Sequence, residues 1–600
     1  MLIIDQLRAC ELFAGLPEST LQSLADASSV THLSGGHVLF RQGDPGDALY
    51  LVVLGRLCAL LESEGRPATR LGEIGPGEYV GEMALIASVP RGATIQALRD
   101  STLIRISDAA FLRAVQASPE AALAVARTVI HRSRPSPRAR HDFFRTLAIV
   151  SSGASTAEGL QVFVRQLGAA LAEKGTVTTL DTAAARELLV GGQEGAATDL
   201  RLSEVEHRLE EANQFTIYSA DESNPTWRER CIRNGDRILV VASTDSPESE
   251  REQIVRLLRK QEHTGQARME LIMLHPNGEI VPGRVGPWLD TGLFSQHYHV
   301  RGPQDVDRLA RFLTGSATGI AFSGGGGRVA AFVGILAAYE EASVPFDIFA
   351  GTSGGAIVGA VASMELKAAD LKVLMGEFSR MSLYSDAGPP FVSLSSSRNI
   401  SRVFKKLYGN VLIEDLPRPF QAACTSLSTG ELVVPKRGEL WRVVRASTSL
   451  PGIYPPVPFG NDLLVDGGLV NNLPADLLRG LCTKLIGADV SVAPPLVVPP
   501  PEAYRISGWR LFWRKLNPFS RPPSDTVFLG ATVIRAALAG ARIHQNQMAS
   551  VVDTMITPQV TGIGLMDVQE ETFSRLFSLG YEAGKASLQK PHSLEDPVPV

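Results

Sequence analysis

The first hundred residues alternate between short apolar runs and glycine. His37–Phe40, Ala48–Val53 and Arg56–Leu61 are the clearest runs, and Gly43, Gly46, Gly55, Gly75 and Gly77 punctuate them. Strands at this spacing with glycine turns predict a small β-barrel or roll. From Asp108 to about Arg132 the rhythm becomes helical, with Phe111, Leu112, Val115, Ala122, Val125 and Val129 at three- and four-residue steps. Residues 133–140, rich in proline, serine and arginine, read as a linker.

From about 143 to 300 the pattern is strand, then helix. Thr146–Val150 precedes a Ser/Gly turn and a helix through Leu171. Asp236–Ala242 precedes a helix with Ser246 as N-cap, Pro247 at its first position and an end near Gln261, and Met269–Leu274 follows. That alternation predicts a parallel α/β layer. A third α/β pattern runs from about 316 to 495. A proline-rich break (Pro494, Pro495, Pro499–Pro501) follows, and helical sequence from about 527 to 590 closes the chain.

With 600 residues the chain exceeds a single core, and 44% hydrophobic with 20% charged residues is ordinary globular composition. A net charge of −5 argues against a nucleic-acid binder. The five cysteines lie far apart, with no metal-ligand spacing and no disulfide framework, so no metal is expected. The N-terminus lacks the basic-then-apolar layout of a secretory signal, and no uncharged apolar run approaches the roughly 18 residues of a spanning helix. These features predict a cytoplasmic protein that could meet a membrane only peripherally.

The sharpest chemical signal is the apolar run Phe346–Ala350 leading into Gly351-Thr352-Ser353-Gly354-Gly355 and then into a second apolar stretch. Strand, Gly-x-Ser-x-Gly and helix in that order define a nucleophile elbow, which presents the Ser353 hydroxyl at a helix N-terminus. Thirty residues upstream of Ser353, Gly319–Ser323 leads into Gly324-Gly325-Gly326-Gly327-Arg328. Consecutive glycines expose N–H groups to an anion. No Gly-Lys-Ser/Thr follows, so beside an elbow serine an oxyanion hole is the better assignment. A nucleophilic serine needs a base. The downstream candidates are Asp466, at the end of the apolar run Leu463–Val465, and His544, which would complete a Ser–Asp–His order.

Gly324-Gly325-Gly326-Gly327-Arg328, Gly351-Thr352-Ser353-Gly354-Gly355 and Asp466-Gly467-Gly468, in this order, resemble the three signatures of the patatin-like phospholipases. Arg445–Pro456 and Asn471-Asn472-Leu473-Pro474 match as well. The resemblance implies a Ser–Asp dyad without histidine: Ser353 as nucleophile, Asp466 as base, and amides around Gly325, Gly326 and Arg328 as the oxyanion hole. Two departures stand out: Gly327 where the family usually has alanine, and Val329 where it usually has glycine, which would narrow the site.

In the N-terminal part, Gly75–Ile86 and Pro90–Ile95 place Glu82 and Arg91 nine residues apart on a short segment between strands. A carboxylate for a ribose hydroxyl and a guanidinium for a phosphate suit an anionic sugar ligand. The stretch resembles the phosphate cassette of cyclic-nucleotide-binding domains. It implies Gly81, Glu82, Arg91 and Ala93 as ligand contacts, and Gly92, without a hydroxyl, points to cAMP rather than cGMP. Residues 147–181 resemble the start of ParA/MinD-type P-loop ATPases but lack the loop lysine, so this unit reads as structural. Pro225–Arg233 and the whole-chain order resemble the neuropathy target esterase group. Trp509, Phe512 and Trp513, interleaved with cations, form a candidate membrane-facing segment or a flap over the active-site groove.

The expected architecture is therefore multidomain. A β-roll sensor spans 1–135, an α/β P-loop-like connector 143–300, and an α/β patatin-like hydrolase 316–600. The expected activity is hydrolysis of phospholipid or lysophospholipid acyl esters, without a catalytic cofactor and with a cyclic nucleotide as regulator. The alternatives are a cyclic-nucleotide-responsive scaffold with a silent patatin domain, and a Ser–Asp–His hydrolase of another fold.

Overall fold

The computed structural model describes residues 3–10, 12–13, 16–63, 66–87, 89–117, 144–190, 196–262, 268–371, 391–491, 544–545, 547–548, 550–564 and 569–589. The chain forms two compact units, 1–314 and 315–600. The proposed membrane-facing segment at 509–513 and the end of the helix expected to reach Arg132 lie outside the described residues.

The glycine-punctuated runs of the first unit pair as two antiparallel four-stranded sheets. One has the order Ser28–Leu33, Ser101–Ser107, Ala48–Leu54, Tyr79–Val80. The other runs Val38–Phe40, Thr94–Ala97, Leu57–Ser63, Arg66–Ile74. All seven residues of Ala48–Leu54 are buried, which accounts for its continuous apolar sequence. Leu49, Leu51, Ile104 and Ile106 pack against Leu7, Phe13, Leu24 and Phe111 from the flanking helices Ile3–Ala9, Glu18–Asp26 and Asp108–Ala117 and from the segment joining the first two.

The same unit contains a six-stranded, all-parallel sheet. Its order is Val177–Leu180, Phe215–Ala220, Thr146–Ser151, Arg237–Ser243, Arg268–Leu274, Gln296–Val300. Helices cover both faces. Trp227, Cys231, Ile254 and Leu258 pack on one face, and Leu160, Phe163, Leu167 and Leu309 on the other. The helix after Arg237–Ser243 starts at Glu248, and the Ser246 hydroxyl does not cap it. It accepts from Ser243 N at 3.2 Å and meets the Ser155 hydroxyl at 2.8 Å. The neighbouring loop competes successfully for the side chain.

The second unit is a mixed sheet in the order Val457–Phe459, Asp462–Asp466, Phe420–Ser426, Ile348–Thr352, Thr318–Phe322, Lys484–Ala488, Thr554–Ile556, with Leu432–Val433 added beside Phe420–Ser426. Its centre is parallel, and Asp462–Asp466 runs antiparallel to Phe420–Ser426. Thr554–Ile556 falls where the sequence reads as helical. Three residues are too few to carry a two-residue period, and the strand is fixed by pairing with Lys484–Ala488.

The helix Ala330–Glu341, which follows the glycine loop, is buried along nearly its whole length. The helix Glu570–Gln589 crosses it on small residues. A methyl group on Gly334 would run into the Phe577 carbonyl, and one on Gly580 into the Ala331 carbonyl. The two backbones approach directly, so there is no side chain that could move aside. Gly580→Ala should therefore destabilise the second unit by about 1–3 kcal/mol, the usual cost of overpacking. Calorimetric melting checks this, and the first unit should melt unchanged.

Candidate active site

The strand Ile348–Thr352 and the helix Gly354–Ser363 meet at Ser353, whose backbone stands at φ 54 and ψ −124. A non-glycine residue in that region carries strain of roughly 1–3 kcal/mol and persists only where its surroundings hold it. The flanking glycines make those surroundings possible. A Cβ on Gly351 would lie 2.5 Å from the Gly355 carbonyl, and one on Gly355 would lie 2.6 Å from the carbonyls of Phe322 and Ser323. Glycine at both positions lets the bend close on itself and on the neighbouring strand.

The glycine loop lies against this bend. A Cβ on Gly324 would lie 3.3 Å from that of Ser353 and 2.5 Å from Asn472 Oδ1. Gly324 N–H donates to the Asn472 carbonyl at 3.0 Å. Among the described residues, the amides of Gly325, Gly326 and Gly327 meet no acceptor. The Arg328 amide behaves differently from the sequence expectation. It donates to the Gly325 carbonyl at 3.2 Å, because the chain tightens there into a 3₁₀ turn over Gly326–Val329. Its guanidinium turns inward, with Nε on the Ile563 carbonyl at 2.8 Å. The free amides are thus those of Gly325 to Gly327. Val329 is buried against the start of the elbow helix, where a Cβ on Gly354 would lie 2.6 Å from its Cγ1.

Asp466 ends the strand Asp462–Asp466 and is 2% exposed. Its carboxylate accepts from Gly468 N at 2.8 Å and from the Ser353 hydroxyl. Burial pushes this carboxyl up to about 6, and the two hydrogen bonds pull in the opposite direction. Its backbone is pinned as well, with its N–H on the Ser449 carbonyl and its carbonyl receiving the Thr425 hydroxyl, both at 3.0 Å. Among the described residues neither Ser353 nor Asp466 meets an imidazole. His544 is half-buried and makes no bond to either. Ser447, which lies in the family-like stretch Arg445–Pro456 but to which the sequence alone assigns no role, accepts from Ser353 N–H at 3.0 Å.

In the roll, the side chains expected to meet a ligand are present and engaged. Arg91 is 2% exposed, with Nη1 on the Gly81 carbonyl at 3.0 Å and Nη2 on the Ala48 carbonyl at 2.9 Å and Asp47 Oδ1 at 3.1 Å. Its guanidinium also lies over Phe40, 4.0 Å from the ring centroid. Glu82 is buried at the start of the helix Glu82–Ala87, and Ala93 is half-buried. In the parallel layer, the loop after Thr146–Ser151 holds a carboxylate of the chain itself. Glu250 accepts from Ser155 N–H at 3.0 Å and from the Ser155 hydroxyl, and Glu222 accepts from the Ser151 hydroxyl at 3.3 Å. The donors at Ser151 and Ser155 are thus met by carboxylates of the chain itself.

Residues 320–479 match the patatin-like phospholipase family. The second unit carries a patatin-like phospholipase domain. Residues 143–316 match the neuropathy target esterase family P-loop like domain, and residues 30–118 the cyclic nucleotide-binding domain. The patatin-containing chain is 28% identical to mouse patatin-like phospholipase domain-containing protein 6 over 93% of its own length and 45% of that protein's. It is 30% identical to lysophospholipase nte1 of Aspergillus fumigatus, over 93% of this chain and 42% of that one. It is also 30% identical to neuropathy target esterase sws of Drosophila melanogaster, over 82% and 38%. It thus spans less than half the length of these relatives. Among the described residues, no helix is long and apolar enough to cross a membrane.

The raised Asp466 carboxyl has a consequence for stability. Its folded value, about 6, lies above the ordinary 3.8, so the folded state holds the proton more tightly. Stability therefore falls as pH rises through that window and stays lowered above it. Asp466→Asn, which keeps an acceptor for Gly468 N–H, should raise the stability of the second unit by about 3 kcal/mol at pH 8 and leave it unchanged below pH 4. Thermal melting at the two pH values checks this.

Proposed function

We propose that this protein is a serine esterase that hydrolyses acyl esters of phospholipids or lysophospholipids through Ser353 and Asp466. The observation that carries the reading is the hydrogen bond from a strained elbow hydroxyl to a buried carboxyl whose charge is cheap to neutralise. Ser353 Oγ attacks the ester carbonyl while Asp466 takes its proton. The tetrahedral oxyanion is held by the amides of Gly325, Gly326 and Gly327. Collapse expels the glycerol oxygen, which receives the proton from Asp466 and leaves Ser353 acylated. Water then attacks the acyl group, Asp466 again takes the proton, and the fatty acid departs as Ser353 Oγ is reprotonated. The side chains supply this cycle without a cofactor.

The lipid class comes from the relatives named as phospholipase and lysophospholipase. A peripheral position on the cytoplasmic face of a membrane fits such a substrate. The domain at 30–118 with Glu82 and Arg91 in place supports modulation by a cyclic nucleotide, with cAMP preferred over cGMP. A phosphate entering that site has to take Arg91 from the Gly81 and Ala48 carbonyls and from Asp47.

A fluorophosphonate probe should label the protein at Ser353, and Ser353→Ala should lose both label and fatty-acid release from a panel of lysophospholipids. An unlabelled wild-type protein would instead favour a scaffold with a silent hydrolase domain. Because the base must be ionised, kcat/KM should drop about tenfold per pH unit below about 6. His544→Ala should leave the rate within about twofold, whereas a Ser–Asp–His enzyme would lose about 10³-fold or more. Titrating cAMP against the wild type and Arg91→Ala tests the sensor, since binding should be present in the first and lost in the second.

A further inference from the structure

The helix Leu440–Ser447 ends directly beneath the elbow, and its last turn touches both halves of the site. Ser447 is fully buried. Its hydroxyl donates to the Ala423 carbonyl at 2.7 Å and accepts from Ser353 N–H at 3.0 Å. A hydroxyl has one proton. With that proton committed to Ala423, a lone pair is left facing Ser353, so the direction of the bond is fixed. Ala423 pairs with Thr352 in the sheet, and the next residue, Cys424, pairs with Asp466. Two residues beyond Ser447, the Ser449 carbonyl receives the Asp466 N–H at 3.0 Å. One short segment therefore holds the backbone of the nucleophile through a side chain and that of the base through a carbonyl.

The segment is itself held rigidly. The Ser449 hydroxyl donates to the Arg445 carbonyl at 2.7 Å, and the Thr448 hydroxyl donates to the Val444 carbonyl at 3.0 Å. The Arg445 guanidinium donates to the Ser449 hydroxyl and lies 5.0 Å from the centroid of the Tyr454 ring. At φ 54 the Ser353 peptide is strained, and the Ser447 oxygen on its N–H is one of the contacts that hold it there.

We propose that Ser447 is a positioning residue for the hydrolysis. Its hydroxyl locks the strained Ser353 peptide, so that Ser353 Oγ stays aligned on the Asp466 carboxylate. The inference rests on the Ser353–Asp466 reading above.

The test uses the full chain. Ser447→Ala removes the acceptor. Ser447→Cys keeps the size of the side chain but supplies a much poorer acceptor, and serves if the alanine variant does not fold. In whichever variant melts like the wild type, kcat should fall roughly 10- to 100-fold with KM within about twofold, as expected for a nucleophile displaced by a fraction of an ångström. Fluorophosphonate labelling of Ser353 should slow by the same factor. The acid limb of the kcat/KM profile should move to higher pH, because Asp466 loses the Ser353 hydroxyl that holds its carboxyl down. A purely structural role would leave that limb in place. Ser447→Thr, with its hydroxyl retained, should recover most of the labelling rate. Wild-type labelling at Ser353 with unchanged rate and unchanged acid limb in a folded Ser447 variant would overturn this inference alone, whereas wild-type protein that does not label would remove the reading beneath it.

Discussion

The candidate site depends on one hydrogen bond, from the Ser353 hydroxyl to the carboxylate of Asp466. Neither partner is suited to the work in water, where an alcohol holds its proton and an ordinary aspartate is too weak a base to take it. Burial alters the second of these. It removes the solvation that makes the aspartate anion comfortable, and the backbone donor at Gly468 restores only part of that solvation. Among the described residues the Ser353 hydroxyl faces this carboxyl, which is the pairing the proposed hydrolysis uses.

Holding the two groups together falls to the backbone. The elbow bends where Gly351 and Gly355 leave no side chain in the way, and Gly324 brings the glycine loop within contact of Ser353. Behind the loop, the helix Ala330–Glu341 is clamped by Glu570–Gln589 through direct backbone contacts at Gly334 and Gly580. The free amides of Gly325 to Gly327 are thus carried by a helix that is itself tightly packed, which is the preorganisation an oxyanion hole requires.

Much of this was legible in the sequence, and the reasons differ from element to element. The elbow, the glycine loop and the strand ending at Asp466 each combine an apolar run with a local turn signal, so their chemistry is written within ten residues. The parallel layer at 146–300 showed itself in the same way, through alternation. What escaped the sequence depends mostly on contacts between distant segments, and in one case on a local turn. Ser447 lies in the family-like stretch Arg445–Pro456, but its contact with Ser353, 94 positions earlier, is not legible from the stretch itself. The Arg328 amide was expected to be free, yet the 3₁₀ turn consumes it. The strand Thr554–Ile556 has no period of its own and exists because Lys484–Ala488 offers it an edge. Ser246 looked like a helix cap until the loop at Ser155 claimed its hydroxyl.

That loop has a wider meaning. In an ordinary strand–loop–helix nucleotide site the first turn waits for an incoming anion to satisfy its donors, so its order tracks the supply of that anion. Here Glu250 satisfies the turn from within the chain. The turn is therefore closed by a carboxylate of the same chain, and its order does not wait on a bound anion.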